Sequence, residues 1–213
     1  MKNWTLVILL FVGFFAFSCS EKTPLEPEPT VYEIQGEING FVGTVDGTNA
    51  FIALLVGQNE CIVYVCNGDE EISEWFKGTV HDPNEISLEN DQGAHISARF
   101  GWYSYLGEVT LSNDSTHSFL ATPNRGEYAG IFRVMGAQAT QEGVEAGWIS
   151  NYEGEQRGAF KIGSAFQRIP ALRLGDTRDG TSNTLVINEE HLPIYRYSIK
   201  NSKEGQIIAV GIK

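Results

Sequence analysis

The chain is short of basic residues, histidine, cysteine and helical periodicity, and each shortage excludes something. Fifteen Lys plus Arg stand against 27 Asp plus Glu, a formal net charge of -12. That balance repels phosphate backbones and anionic headgroups, so nucleic-acid binding and purely electrostatic membrane docking are disfavoured. The four histidines, His81, His95, His117 and His191, never fall at metal-ligand spacing on one element, and the three cysteines form no CxxC pair. No metal or cofactor is therefore expected. No serine sits in a GxSxG elbow, and no stretch beyond the N-terminus is long and apolar enough to cross a bilayer. Sustained apolar spacing of three and four is missing too, which argues against a helical fold.

What is present starts with an address. Lys2 precedes an almost unbroken apolar run from Leu6 to Phe17, followed by Ala16-Phe17-Ser18-Cys19. The run is too short for a comfortable span and sits at the extreme N-terminus, the pattern of an export signal over residues 1–18. The AFSC tetrad resembles a loose bacterial lipobox. By that resemblance Cys19 becomes the lipidated first residue and holds the protein on the cell envelope, with the outer membrane the expected one. The bland alternative is an ordinary secreted protein that loses Cys19. Residues 19–30 read as a tether, because Ser20 to Thr30 (SEKTPLEPEPT) is rich in proline and glutamate and cannot bury a core.

From Val31 the texture is all-β. Short runs of Val, Ile, Phe, Tyr and Thr fall at 37–45, 50–56, 61–66, 74–80, 85–88, 94–100, 105–111, 117–121, 128–135, 144–150 and 156–162, punctuated by Gly, Asn, Asp or Pro. This predicts an antiparallel meander over 31–167 closing as a barrel, with a β-sandwich as the alternative. The stretch Phe51 to Cys66 (FIALLVGQNECIVYVC) is apolar on both faces of both arms and should be covered on both sides. Later segments, such as Ala94 to Phe100, alternate and should have one wet face. Cys61 and Cys66 are five apart, so in one strand they point to opposite faces as unbridged buried thiols. Glycines at 43, 78, 107 and 158 each precede a small or polar residue and then an apolar one, and are expected to mark sharp coiling or bulges. Residues 168–213 form an extension whose final hairpin, Ile194 to Ile199 and Gln206 to Ile212, is too small to stand alone and should dock on the Phe51 to Cys66 ribbon.

Chemistry is sparsely marked. The acids Asp69, Glu70 and Glu71, and the pair Glu189-Glu190, could serve glycoside hydrolysis only if a cleft brought such groups to the proper separation. The loop Asp176 to Gly180 lacks the alternating oxygens of a calcium site, and Asn113-Asp114-Ser115 is a chance sequon in a bacterial-type chain. Trp102, Tyr103 and Tyr105, in Gly101 to Gly107 (GWYSYLG), crowd a link between two strands and are the candidate ligand-binding residues. Their rings either stack on a sugar or another protein, or close the barrel end. Trp75, Phe76 and Trp148 read as core or sheet-face residues.

The order Val63-Tyr64-Val65-Cys66, Trp75-Phe76 with Gly78-Thr79-Val80, Gly126 to Arg133 (GEYAGIFR), Gly147-Trp148-Ile149 and Gln156-Arg157-Gly158-Ala159 resembles a group of uncharacterised secreted bacterial β-proteins. The resemblance spans about Gly40 to Phe160 and implies export and one β-domain, with no activity and no catalytic residues attached. The functional expectation is a non-catalytic envelope lipoprotein, attached to the membrane by its anchor, that binds a small apolar ligand, a glycan or a protein. The competing expectations are an envelope hydrolase with carboxylates assembled in three dimensions, favoured by a cleft lined by two acids, and a purely structural spacer, favoured by a filled barrel without a pocket.

Overall fold

Two antiparallel sheets, the first curled into a barrel and the second packed against it, account for almost all of the described chain. The computed structural model describes residues 38–126, 129–172, 184–187, 190–200 and 206–211, all within one compact unit spanning 36–213. The export signal, Cys19, the tether, the 175–183 loop, Glu189 and the 201–205 turn lie outside the described residues.

The first sheet contains β1 (Ile38–Val45), β2 (Phe51–Val56), β3 (Glu60–Asn67), β4 (Ile72–Thr79), β5 (Glu85–Glu89), β6 (His95–Gly101), β7 (Ser104–Thr110) and β8 (Thr116–Arg125). Its order, β4-β3-β2-β1-β8-β7-β6-β5, is an up-and-down meander in which β8 returns to pair with β1. The result is a nearly closed barrel. The hydrogen-bonded ladder stops only between β4 and β5, where Leu88 fills the space beside Gly78, with its Cδ2 2.6 Å from where a Cβ would stand. Buried Glu74 bridges the same seam, accepting from Asn90 Nδ2 at 2.9 Å and from the Ser112 amide at 3.1 Å.

Inward side chains from all eight strands, among them Ile52, Val63, Phe76, Ile96 and Val109, make one packed core, so the barrel is filled. Four glycines stand at close approaches, Gly43, Gly78 and Gly107 in the barrel and Gly158 in the second sheet. A Cβ at Gly43 would stand 1.9 Å from the Leu120 carbonyl oxygen and one at Gly107 2.1 Å from that of Ser97, while Gly78 and Gly158 are crowded by Leu88 and Ile169. Neighbouring strands approach closely because these positions carry no side chain.

The second sheet contains β9 (Gly130–Val134), β10 (Val144–Ser150), β11 (Gln156–Ile162), β12 (Ala165–Gln167), β13 (Thr184–Ile187), β14 (Glu190–Lys200) and β15 (Gln206–Gly211), in the order β12-β11-β10-β9-β14-β13 with β15 also on β14. The division between sheets falls after β8, ahead of the 167/168 boundary expected from composition. Strands β9 to β11, expected to continue the barrel meander, instead begin this second layer. A short helix, α1 (Ala137–Gln141), joins β9 to β10 and buries Ala139.

The ribbon β2-β3 lies between two cores. Ile52, Leu54, Cys61, Val63 and Val65 face the barrel interior, whereas Phe51, Ala53, Leu55, Tyr64 and Cys66 face Ile131, Ile149 and Ala159 of the second sheet. Cys61 and Cys66 thus sit unbridged on opposite faces. Burial pushes the Cys61 thiol up to about 12, and the Cys66 thiol upward as well. Both stay protonated and pack as small apolar groups. The C-terminal hairpin covers this ribbon as expected: Tyr197 and Ile207 join the intersheet core, and the Ile207 amide donates to Glu60 Oε1 at 2.8 Å. Beyond the second sheet a third cluster, including Phe132, Trp148, Leu172, Leu185 and Leu192, buries its outer face.

Candidate functional site

The turn joining β6 to β7 is the tightest kind of hairpin connection. Gly101 pairs with Ser104, and the two residues between, Trp102 and Tyr103, have φ of +53° and +62°. Positive φ at both central positions is the signature of a type I′ turn, whose twist suits the flanking strands and which Asn-Gly fills most readily. For bulky L-residues the left-handed region costs about 1–2 kcal/mol each. This backbone cost falls on a Trp that is 96 % exposed.

Tyr105, three residues from Trp102, follows the other of the two expectations for these rings. It is buried in the barrel core, packs edge-on against Phe41 at 4.8 Å and donates its hydroxyl to the Pro83 carbonyl at 2.6 Å. Alternation along β7 turns it inward, so it closes the barrel end and offers no face to a ligand. Burial pushes its phenol upward.

A polar cleft lies elsewhere, at the junction of the two sheets. A single 3₁₀ turn, Gly68–Glu70, follows β3 and rests against β11: a Cβ on Gly68 would meet the Gly158 carbonyl oxygen at 3.1 Å. Between them opens a cleft of about 360 Å³ whose polar lining comes from Asn49, Asn67, Asp69, Glu70, Gln156 and Arg157, with Ile169 its apolar side chain. Most of these groups are already held. Buried Asn67 caps the turn by accepting from the Asp69 amide at 3.1 Å. The Glu70 carboxylate accepts from the Asn49 amide at 3.1 and 3.2 Å and from Asn49 Nδ2 at 2.6 Å. Gln156 is fixed by a reciprocal pair with the Leu172 backbone, at 2.8 and 2.9 Å. Arg157 donates to the Asn49 and Gln156 carbonyls at 3.3 and 2.9 Å while its guanidinium lies 4.9 Å over the Phe51 ring.

A second cleft, of about 140 Å³, is lined by Phe51 with Asn124, Asn151, Tyr152 and Glu155. Tyr152 stands 69 % exposed at its rim.

No family model, curated protein or solved structure matches the chain. Function must therefore be read from the geometry.

Of the sequence candidates, Trp102 is presented to solvent and Tyr103 is half-buried beside it, while Asp69 and Glu70 enter the cleft between the 3₁₀ turn and β11. Glu71 adopts φ +56° as the cap of the 3₁₀ turn and is not among the cleft's lining residues. His95 contacts Ser87 and His117 contacts Asp46 and Ser115, both as surface hydrogen-bonding groups. Among the described residues no group of three or more His, Cys, Asp or Glu could hold a metal, and no helix is long and apolar enough to cross a membrane. Asn49, Gln156 and Arg157 carry no signal in the sequence that marks them as cleft residues. Only the fold brings a β1-to-β2 turn against β11.

Proposed function

We propose that this chain is a non-catalytic, lipid-anchored protein of the bacterial cell envelope that binds a glycan in the cleft between the 3₁₀ turn and β11. The observation that carries the reading is the cleft's lining: amides, carboxylates and one guanidinium, most of them held in place before any ligand arrives. A mixture of donors and acceptors of this kind matches a hydroxyl-rich ligand, and preorganisation lowers the ordering cost of binding. The exposed Tyr152 ring near the adjoining cleft adds a flat face of the kind sugars stack on. A packed barrel interior argues against a small apolar ligand carried inside it.

The test is calorimetry against a panel of neutral oligosaccharides. At least one member should bind, Arg157→Ala should weaken it roughly tenfold or more through loss of a charged donor, and Trp102→Phe should leave it unchanged. A panel without binders, or an Arg157→Ala variant that binds as the wild type does, overturns the reading.

A hydrolase reading draws on Asp69 and Glu70 sharing one cleft. Glycosidases place two carboxylates on either side of the scissile bond, roughly 5–9.5 Å apart. Here the acids are consecutive residues on one wall, and Glu70 is tied to Asn49. Release of reducing ends from the same oligosaccharides, abolished in Asp69→Asn, would favour that reading over binding alone.

A further inference from the structure

The pairing register sorts the barrel's turns between its two ends. Ile38 pairs with Arg125, Glu60 with Thr79 and Gly101 with Ser104. The start of β1, the 57–59 turn, the 80–84 link and the Trp102-Tyr103 turn therefore share one end, at which the chain enters the barrel. The turns at 46–50, 68–71, 90–94 and 111–115 share the other.

The two ends differ in charge. In the far-end turns every ionisable side chain is a carboxylate, from Asp46 and the Asp69 to Glu71 run to Asp91 and Asp114. At the entry end the turns hold one carboxylate, Asp82, and the strands beside them supply Lys77, Arg99 and Arg125 but also Glu60, so charge there is close to balanced. Glu85, also at that end, is neutralised by Arg99 at 3.0 Å. Apolar exposure is skewed as well. Trp102 leads from the entry end to Leu106 and Leu120, cross-strand partners 53 % and 49 % exposed on the outer face of β7 and β8.

We infer that the entry end seats on a lipid bilayer, with Trp102 entering the headgroup region and the acidic end turned away from the membrane. Indole rings favour that interface, being apolar in body with one polar N–H, and a fully exposed Trp needs such a partner more than any other side chain on this surface. An acidic far end is repelled by anionic headgroups, so charge and apolar surface orient the barrel in the same sense. Docking rests in part on the anchor reading above. From Cys19 to Ile38 an extended chain reaches about 60 Å, long enough to leave the barrel free of the lipid, so the anchor alone does not impose the contact. A second, weak contact at the tip would fix the orientation in which the polar cleft is presented outward, in the manner of two-signal membrane attachment.

The test uses full-length protein isolated from membranes and placed in phosphatidylethanolamine and phosphatidylcholine vesicles, with and without brominated acyl chains. Intact mass of the same preparation reads the anchor independently, together with the removal of the signal that carries Trp4. Tryptophan emission of the wild type should fall in brominated vesicles, and Trp102→Phe should abolish that loss, because Trp75 and Trp148 are held within the fold. Emission equal in both kinds of vesicle overturns the inference whatever the mass shows. So does quenching that survives in Trp102→Phe. A mass without acyl chains together with Trp102-dependent quenching removes the anchor reading and supports the tip as a lipid contact in its own right.

Discussion

Trp102 and Tyr103 occupy backbone positions that Asn and Gly fill at little cost, so their presence is a local loss of stability. Combining Trp102→Asn with Tyr103→Gly in one double variant should stabilise the fold by about 1–3 kcal/mol, since both left-handed residues are relieved together. Urea unfolding reads this directly, and a midpoint that falls or stays put would mean that the rings contribute packing the strained backbone does not reveal. At this scale the sequence is half legible. The crowding of rings in Gly101 to Gly107 points to a special turn, yet Trp102 and Tyr105, three residues apart, end on opposite sides of the barrel wall. Their fates divide because the turn takes up two residues before β7 resumes its alternation. Asn49 and Arg157 are wholly illegible, since Asn49 gains its place from Glu70 across two strands and Arg157 from Asn49 about a hundred residues away.

Among the elements, those with apolar residues on both faces are the most informative. β2 and β3 are buried throughout nearly all their length, and so are β9 and β10, because these strands separate two cores. The sequence reveals the first pair as covered on both sides and the C-terminal hairpin as part of the cover, but not that β9 to β11 supply the rest. Strands β9 and β10 carry the same doubly apolar pattern, and only pairing partners show that they form the covering layer. By contrast β5 alternates strictly, since its outer face meets water. The glycine pattern is legible for a physical reason: a missing side chain is required wherever curvature drives one strand into the next. Gly43→Val places a side chain against the Leu120 carbonyl, where an ideal Cβ already stands at 1.9 Å. It should destabilise the protein by about 1–3 kcal/mol or force β1 away from β8. Gly93→Ala, at a turn where no atom lies within 4 Å of the new Cβ, provides the control. Its residual cost is that of its φ of +82° alone, and equal losses in the two variants in chemical denaturation would refute the close-approach argument.

The whole molecule is a layered structure with a polarity. A filled barrel, a second sheet and an outer cover stack three cores side by side. The barrel ends divide the charge, and the cleft opens near the acidic one. None of this polarity is visible in the net charge, since the register alone decides which turns share an end. The barrel wall itself is uneven. Seven of its strand junctions are hydrogen-bonded ladders; the eighth, between β4 and β5, is held by Leu88 against Gly78 and by Glu74 reaching Asn90 and Ser112. Hydrogen exchange should find the facing amides of β4 and β5 less protected than those of β2 and β3, and Glu74→Ala should widen the difference by leaving the Ser112 amide without its acceptor. Uniform protection around the wall would show that side chains secure the gap as firmly as backbone does. A cylinder with one such slit can relax its circumference without breaking a ladder, in the way a split ring takes up stress at its cut. Thermal breathing then has a fixed location along that slit.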